Sequence, residues 1–167
     1  MGEIIKSFFL EFVGEELCTF LCSMLPVIEL RGSIPMAFAF GLPWWQAYLI
    51  SVVGNLLPVP FILLLINGII KWMASSKVEF FNKIATFLLE RVEKKRERIE
   101  KYSFWGLCLF IAIPLPVTGA WTGSLVAAVI GMKPWRALLS AILGVLIAGA
   151  VVTLIVYGGI GFLAWLI

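Results

Sequence analysis

Glu29-Leu30-Arg31-Gly32-Ser33-Ile34-Pro35 is the stretch whose reading decides the fold. A carboxylate and a guanidinium stand two residues apart, flanked by long apolar segments with almost no other charge. At membrane depth such groups cost about 2.5–3.5 kcal/mol each on insertion scales, so they are rarely there by accident. Pro26 and Pro35 bracket the pair, and Gly32 lies between. Each proline disfavours helix through the charged residues, which points to a turn or unwound tip within a hydrophobic hairpin. Irregular backbone at this depth is tolerated only where protein buries it or where it lines a cavity. Glu29 and Arg31 are therefore expected to face a polar cavity inside a membrane protein.

The composition agrees. Of 167 residues, 62% are hydrophobic and 14% charged, and the mean hydropathy is +1.05. Soluble domains carry about 45–50% apolar and about 25% charged residues. Apolar runs near 17–28, 45–70, 104–131 and 134–161 are long enough, singly or as hairpins, to fill a core about 30 Å thick. The formal charge of +3 is no nucleic-acid signal, because most basic residues sit in one juxtamembrane block. Histidine and aspartate are both absent, which removes His-based catalysis, zinc sites and most metal cages, and no cofactor is expected. Cys18, Cys22 and Cys108 have no Cys-x-x-Cys spacing and read as small buried hydrophobes. The N-terminus lacks a basic region followed by a small-residue cleavage site, so no cleaved signal peptide is expected.

The chain divides into an N-terminal amphipathic segment (1–16), a first membrane repeat (17–70), a basic amphipathic linker (71–103) and a second membrane repeat (104–167). Shifted by 90 residues, the halves align without a gap, and about 16 of the 54 positions in 17–70 recur in 107–160. Leu25-Pro26-Val27 falls on Leu115-Pro116-Val117, and Gly41, Trp45, Gly54 and Gly68 fall on Gly131, Trp135, Gly144 and Gly158. Each repeat holds a Pro/Gly-interrupted apolar piece, a Gly-x-x-x-Trp corner and a long helix. Interrupted segments at matching places in two inverted halves are the pattern of a transporter site.

Charge orients the model. The linker carries nine of the basic residues and should be cytoplasmic. A re-entrant first piece puts Lys133 and Arg136 on the same side and the uncharged Gly41–Trp44 corner outside; two full crossings would put that pair outside, against the rule. The expected fold is thus an all-α integral membrane protein with inverted repeats. Each half is a re-entrant helical hairpin plus a long transmembrane helix, joined by an amphipathic cytoplasmic linker helix. The expected place is the plasma (inner) membrane, multi-pass, with both termini extracytoplasmic. Trp44, Trp45 and Trp165 would mark the outer interface, and Trp72, Trp105 and Trp135 the inner one. Asn55, Pro58 and Pro60 should kink the first long helix. Ala137, Ala141, Gly144 and Ala148 form a small-residue stripe suited to packing within a protomer or across a homodimer.

The second tip reads Pro114-Leu115-Pro116-Val117-Thr118-Gly119-Ala120-Trp121-Thr122-Gly123. Pro26, Gly32, Pro35, Pro114, Pro116, Gly119 and Gly123 are expected to shape the two hairpins. Glu29, Arg31, Asn55, Thr118, Trp121 and Thr122 are the candidate substrate- or proton-binding residues. Burial disfavours an ionised Glu29 and the neighbouring Arg31 favours it, so a balanced carboxyl could exchange a proton in each cycle. Arg31 presents a planar fork suited to phosphate or carboxylate. The alternative is a permanent ion pair that only closes the hairpin tip.

These two motifs, in this order and spacing, resemble the small multidrug export family, a distant relative of the DedA-like membrane proteins. The similarity covers nearly the whole chain. It implies paired re-entrant hairpins under inverted symmetry and a role in transport or lipid translocation. By the resemblance, Glu29 and Arg31 match the acidic and basic residues of the first hairpin motif, and Pro116, Thr118, Gly119 and Trp121 match the second. DedA-like proteins usually carry arginines in the second hairpin region as well, and this chain has none between Lys101 and Lys133.

The leading expectation is a small secondary transporter, proton-coupled at Glu29, that moves an amphiphile or an anionic lipid headgroup. The partners are the bilayer and that substrate, and no nucleic acid. An energy-independent lipid scramblase is the second reading and a structural membrane subunit the third. An enzyme is not expected, for want of any nucleophile–base constellation.

Overall fold

The computed structural model describes residues 14–75, 86, 90, 96–113 and 119–159. Among them every element is helical: α1 (14–24), α2 (Glu29–Ala39), α3 (Trp44–Leu56), α4 (Pro58–Ser75), α5 (Arg96–Ala112), α6 (Ala120–Val129) and α7 (Pro134–Thr153). α7 runs on into a π-helical turn, Leu154–Gly158. Two stretches are long and apolar enough to cross a membrane, Trp44–Ile66 with 23 residues and Pro134–Gly158 with 25. At 1.5 Å per residue they measure about 35 and 38 Å. The apolar helices Ser103–Ala112 and Ala120–Val129 are far shorter, about 15 Å each. The N-terminal segment before residue 14 and most of the linker lie outside the described residues.

The charged stretch differs from the expectation of an unwound tip. The chain reverses earlier, over residues 25–28, and Glu29 to Pro35 are helical. The Glu29 N–H donates to the Leu25 carbonyl (2.9 Å) and the Gly32 N–H to the Ile28 carbonyl (3.0 Å), closing the turn onto α2. Pro35 sits inside α2 and removes one helical bond, the one its absent N–H would give Arg31. Unwinding 29–35 would strand several backbone groups in apolar surroundings, so helix is the cheaper solution. Gly32 is needed there, since a Cβ would lie 2.6 Å from Ile28 Cγ2. At Leu57, between α3 and α4, the chain keeps helical dihedrals (φ −57°, ψ −43°), so the interruption expected from Pro58 and Pro60 is confined to the hydrogen bonds that their missing N–H groups cannot give.

The helices form two compact units, one drawn from the chain up to Leu57 and from Val145 onward, the other from Pro58–Gly144. In the first, α2 packs on α3 and against the π-helical turn. Ala37, Leu42 and Ala47 are its buried nucleus, with Phe40 and Tyr157 against them. The Tyr157 hydroxyl donates to the Leu42 carbonyl (2.8 Å), and its ring meets Phe38 edge-on at 5.0 Å. α1 reaches α3 at Gly54, where a Cβ would stand 2.8 Å from the Phe20 carbonyl oxygen.

In the second unit α6 packs on α4 and on α5. Gly123 and Gly144 both admit Ile111, which would lie 2.6 and 2.7 Å from a Cβ at each. The Ser140 hydroxyl donates to the Phe104 carbonyl (2.6 Å). Ala137, Ala141 and Gly144 are buried here, and Ala148 is buried in the first unit, so these small residues pack inside the protomer.

The corners after α2 and α6 are built bond for bond alike. Leu42 N–H donates to Ala37 and Gly41 N–H to Phe38; Met132 N–H donates to Ala127 and Gly131 N–H to Ala128, all between 2.9 and 3.1 Å. Gly41 (φ 84°) and Gly131 (φ 73°) supply the left-handed residue that this helix ending requires. Each partner lies 90 residues from its counterpart.

Candidate functional site

Buried polar side chains concentrate in the first unit. Glu29 and Ser33 stand one turn apart on α2, and Ser51 and Asn55 one turn apart on α3. The exposures are 6%, 0%, 0% and 1% respectively. The short corner makes α2 and α3 antiparallel neighbours, and the Ser33 hydroxyl donates to the Ser51 hydroxyl across them at 2.7 Å. One turn back along α2 from Ser33 is Glu29, and one turn forward along α3 from Ser51 is Asn55. In an antiparallel pair those steps run the same way, so Glu29 and Asn55 share the next layer.

Two features of that layer carry an energetic cost. Glu29 has φ +50°, in the left-handed region that costs an L-residue about 1–2 kcal/mol. Asn55 has neither Oδ1 nor Nδ2 in a hydrogen bond although both atoms are buried, at about 1–3 kcal/mol for each stranded group. Arg31, half-buried, lies within electrostatic range of Glu29. Strain and unmet polarity of this kind gather at functional sites, where the rest of the fold sustains them.

Of the residues expected from sequence, Glu29, Arg31 and Asn55 thus come together in one unit. Trp121 and Thr122 are half-buried in the first turn of α6, in the other unit. The Thr122 hydroxyl accepts from the Gly119 N–H at 2.9 Å and contacts its carbonyl at 3.3 Å, so it caps α6. Gly119 is extended and precedes α6, and Gly123 makes the close approach to Ile111. Pro26 lies in the first reversal. Pro114, Pro116 and Thr118 fall outside the described residues.

Sequence reasoning missed Ser33 and Ser51. The signal was present: 29 with 33 and 51 with 55 are polar pairs at helical spacing. Their counterparts 90 residues on are Gly119, Gly123, Ala141 and Val145, all buried and none with a polar side chain. These four positions thus carry polar side chains, while the four positions 90 residues on carry none.

A family model described as "Putative small multi-drug export protein" matches residues 29–151, from the carboxylate of this site to within α7. Neither the curated proteins nor the solved structures contain a match to the chain.

Proposed function

The chain belongs to the small multidrug export family, and from that premise we propose that it is a proton-coupled membrane transporter working through Glu29 and Arg31. The carrying observation is a glutamate 6% exposed, within electrostatic range of a guanidinium, on a helix whose neighbour holds a buried, unpartnered amide one layer beyond the Ser33–Ser51 bond. A closed structural ion pair has no use for Asn55, whereas a binding site does. Arg31 takes a phosphate or carboxylate headgroup, Glu29 gains and loses the coupling proton, and the amphiphile's tail stays among apolar side chains.

The architecture we infer is an inverted pair of re-entrant hairpins. α1, α2, α6 and the apolar end of α5 are each about 15–17 Å long, half the hydrocarbon thickness, which suits legs that enter and return. The recurring corner bonds and the matched close approaches at Gly54 and Gly144 support a duplicated plan. Trp44, Trp45, Trp72, Trp105 and Trp135 are all exposed, as interfacial belts require. The lysines and arginines of the linker favour a cytoplasmic side for it, and a kinship with DedA-like proteins would fit the same plan.

Flux of a fluorescent amphiphilic anion in proteoliposomes tests this. The reading expects uptake that follows an imposed pH gradient and collapses with it. Equal bidirectional lipid mixing without a gradient would instead indicate a scramblase, and no flux of either kind a structural subunit.

A further inference from the structure

Proton exchange at Glu29 leaves Asn55 without a role, because a protonated carboxyl needs no second oxygen ligand. The surroundings of Asn55 are rich in oxygen. By the register that the Ser33–Ser51 bond sets, Glu29 lies in the same helical layer, the two serines lie one turn away, and the Asn55 Oδ1 is buried and unpartnered. Pro58 and Pro60 carry no N–H, so the carbonyls of Gly54 and Leu56 receive no i+4 helical bond at the end of α3. Carbonyls left without their helical donors are a recurrent way to hold a hard monovalent cation in membrane proteins. Carboxylate, amide and main-chain oxygens are the donor set such an ion prefers.

Charge balance points the same way. Glu29 and Arg31 together are neutral when the site is empty. A monoanionic headgroup on Arg31 makes the site negative, and one bound cation restores neutrality, so empty and filled sites can both move through a low dielectric.

We infer that Glu29 and Asn55 form a site for a sodium-sized monovalent cation, which takes the place of the proton on Glu29 and is bound together with each anionic headgroup. Its use as a coupling ion rests on the transport reading, while the binding itself does not.

The test is a titration of the purified full chain with NaCl at constant ionic strength, with choline chloride as the balancing salt. The expected result is saturable heat for one ion per chain. The melting midpoint should rise by about 3–6 °C at tenfold excess over Kd. Asn55→Val should abolish the sodium response yet melt in choline at or above the wild-type midpoint, because a stranded amide has gone. Asn55→Asp, which keeps an oxygen, should retain the response. Identical wild-type midpoints in sodium and choline would overturn the inference, and so would a sodium response that survives Asn55→Val. The wild-type comparison decides even if the valine variant does not fold. Gradient-driven flux in sodium-free medium without sodium binding would sink the cation site and leave the transporter. Sodium binding without any flux would do the reverse.

Discussion

Removing one hydroxyl from the Ser33–Ser51 pair should cost more than removing both. Each serine is fully buried, and their 2.7 Å bond ties α2 to α3. Ser33→Ala leaves the Ser51 oxygen without its donor, and Ser51→Ala leaves the Ser33 hydroxyl without its acceptor. Either stranded group costs about 1–3 kcal/mol. The double Ser33→Ala, Ser51→Ala change replaces both by apolar groups and resembles the other half of the chain, where Gly123 and Ala141 occupy these positions. It should cost about 0–1 kcal/mol against about 2–6 kcal/mol for the summed singles, giving a coupling of about 1–6 kcal/mol. Thermal unfolding of the detergent-solubilised protein, followed by circular dichroism, reads the cycle. The singles should melt about 2–12 °C below the parent and the double close to it. Additive losses would refute the reasoning, because the serines would then not be partners, and the register that sets Glu29 opposite Asn55 would lose its support.

Other expectations follow from close packing and backbone geometry. Gly54→Ala and Gly144→Ala drive a methyl toward the Phe20 and Cys108 carbonyls, at 2.8 and 2.9 Å, and should destabilise by about 1–3 kcal/mol in the same melting assay. Gly68→Ala meets nothing within 4 Å and should be neutral or slightly stabilising. Gly41→Ala and Gly131→Ala, at φ 84° and 73°, should each cost about 1–2 kcal/mol, and comparable losses would accord with the two corners being equivalent. Tyr157→Phe removes the bond to the Leu42 carbonyl and should cost about 1 kcal/mol by thermal melting.

Much of the architecture was legible because it rests on local chemistry. Gly41 and Gly131 announce helix endings that only glycine makes easily, and Pro58 announces the missing hydrogen bond beside Leu57. Both signals act within four residues and need no tertiary context. The charged stretch was misread locally because proline's preference was weighed without the larger penalty for leaving backbone unbonded in an apolar setting. With that penalty included, Pro35 is tolerated in α2, and the reversal moves to the apolar residues 25–28. Glu29, Arg31 and Asn55 stood out as costly polar groups in an apolar chain. Their grouping did not follow from spacing alone, because it depends on which faces of α2 and α3 meet. The Ser33–Ser51 bond supplies that information, and it is a tertiary fact.

Flux through single-charge variants tests most directly whether Glu29 and Arg31 act as the transport site. Glu29→Gln and Arg31→Gln, reconstituted in proteoliposomes at matched protein density and checked to melt within a few degrees of the parent, should each lose gradient-driven uptake of the anionic amphiphile. The charge-swapped Glu29→Arg, Arg31→Glu variant should lose it as well. Parental flux in the swapped protein would contradict the account, since an ion pair that works in either orientation is a brace for the hairpin and takes no part in carrying substrate.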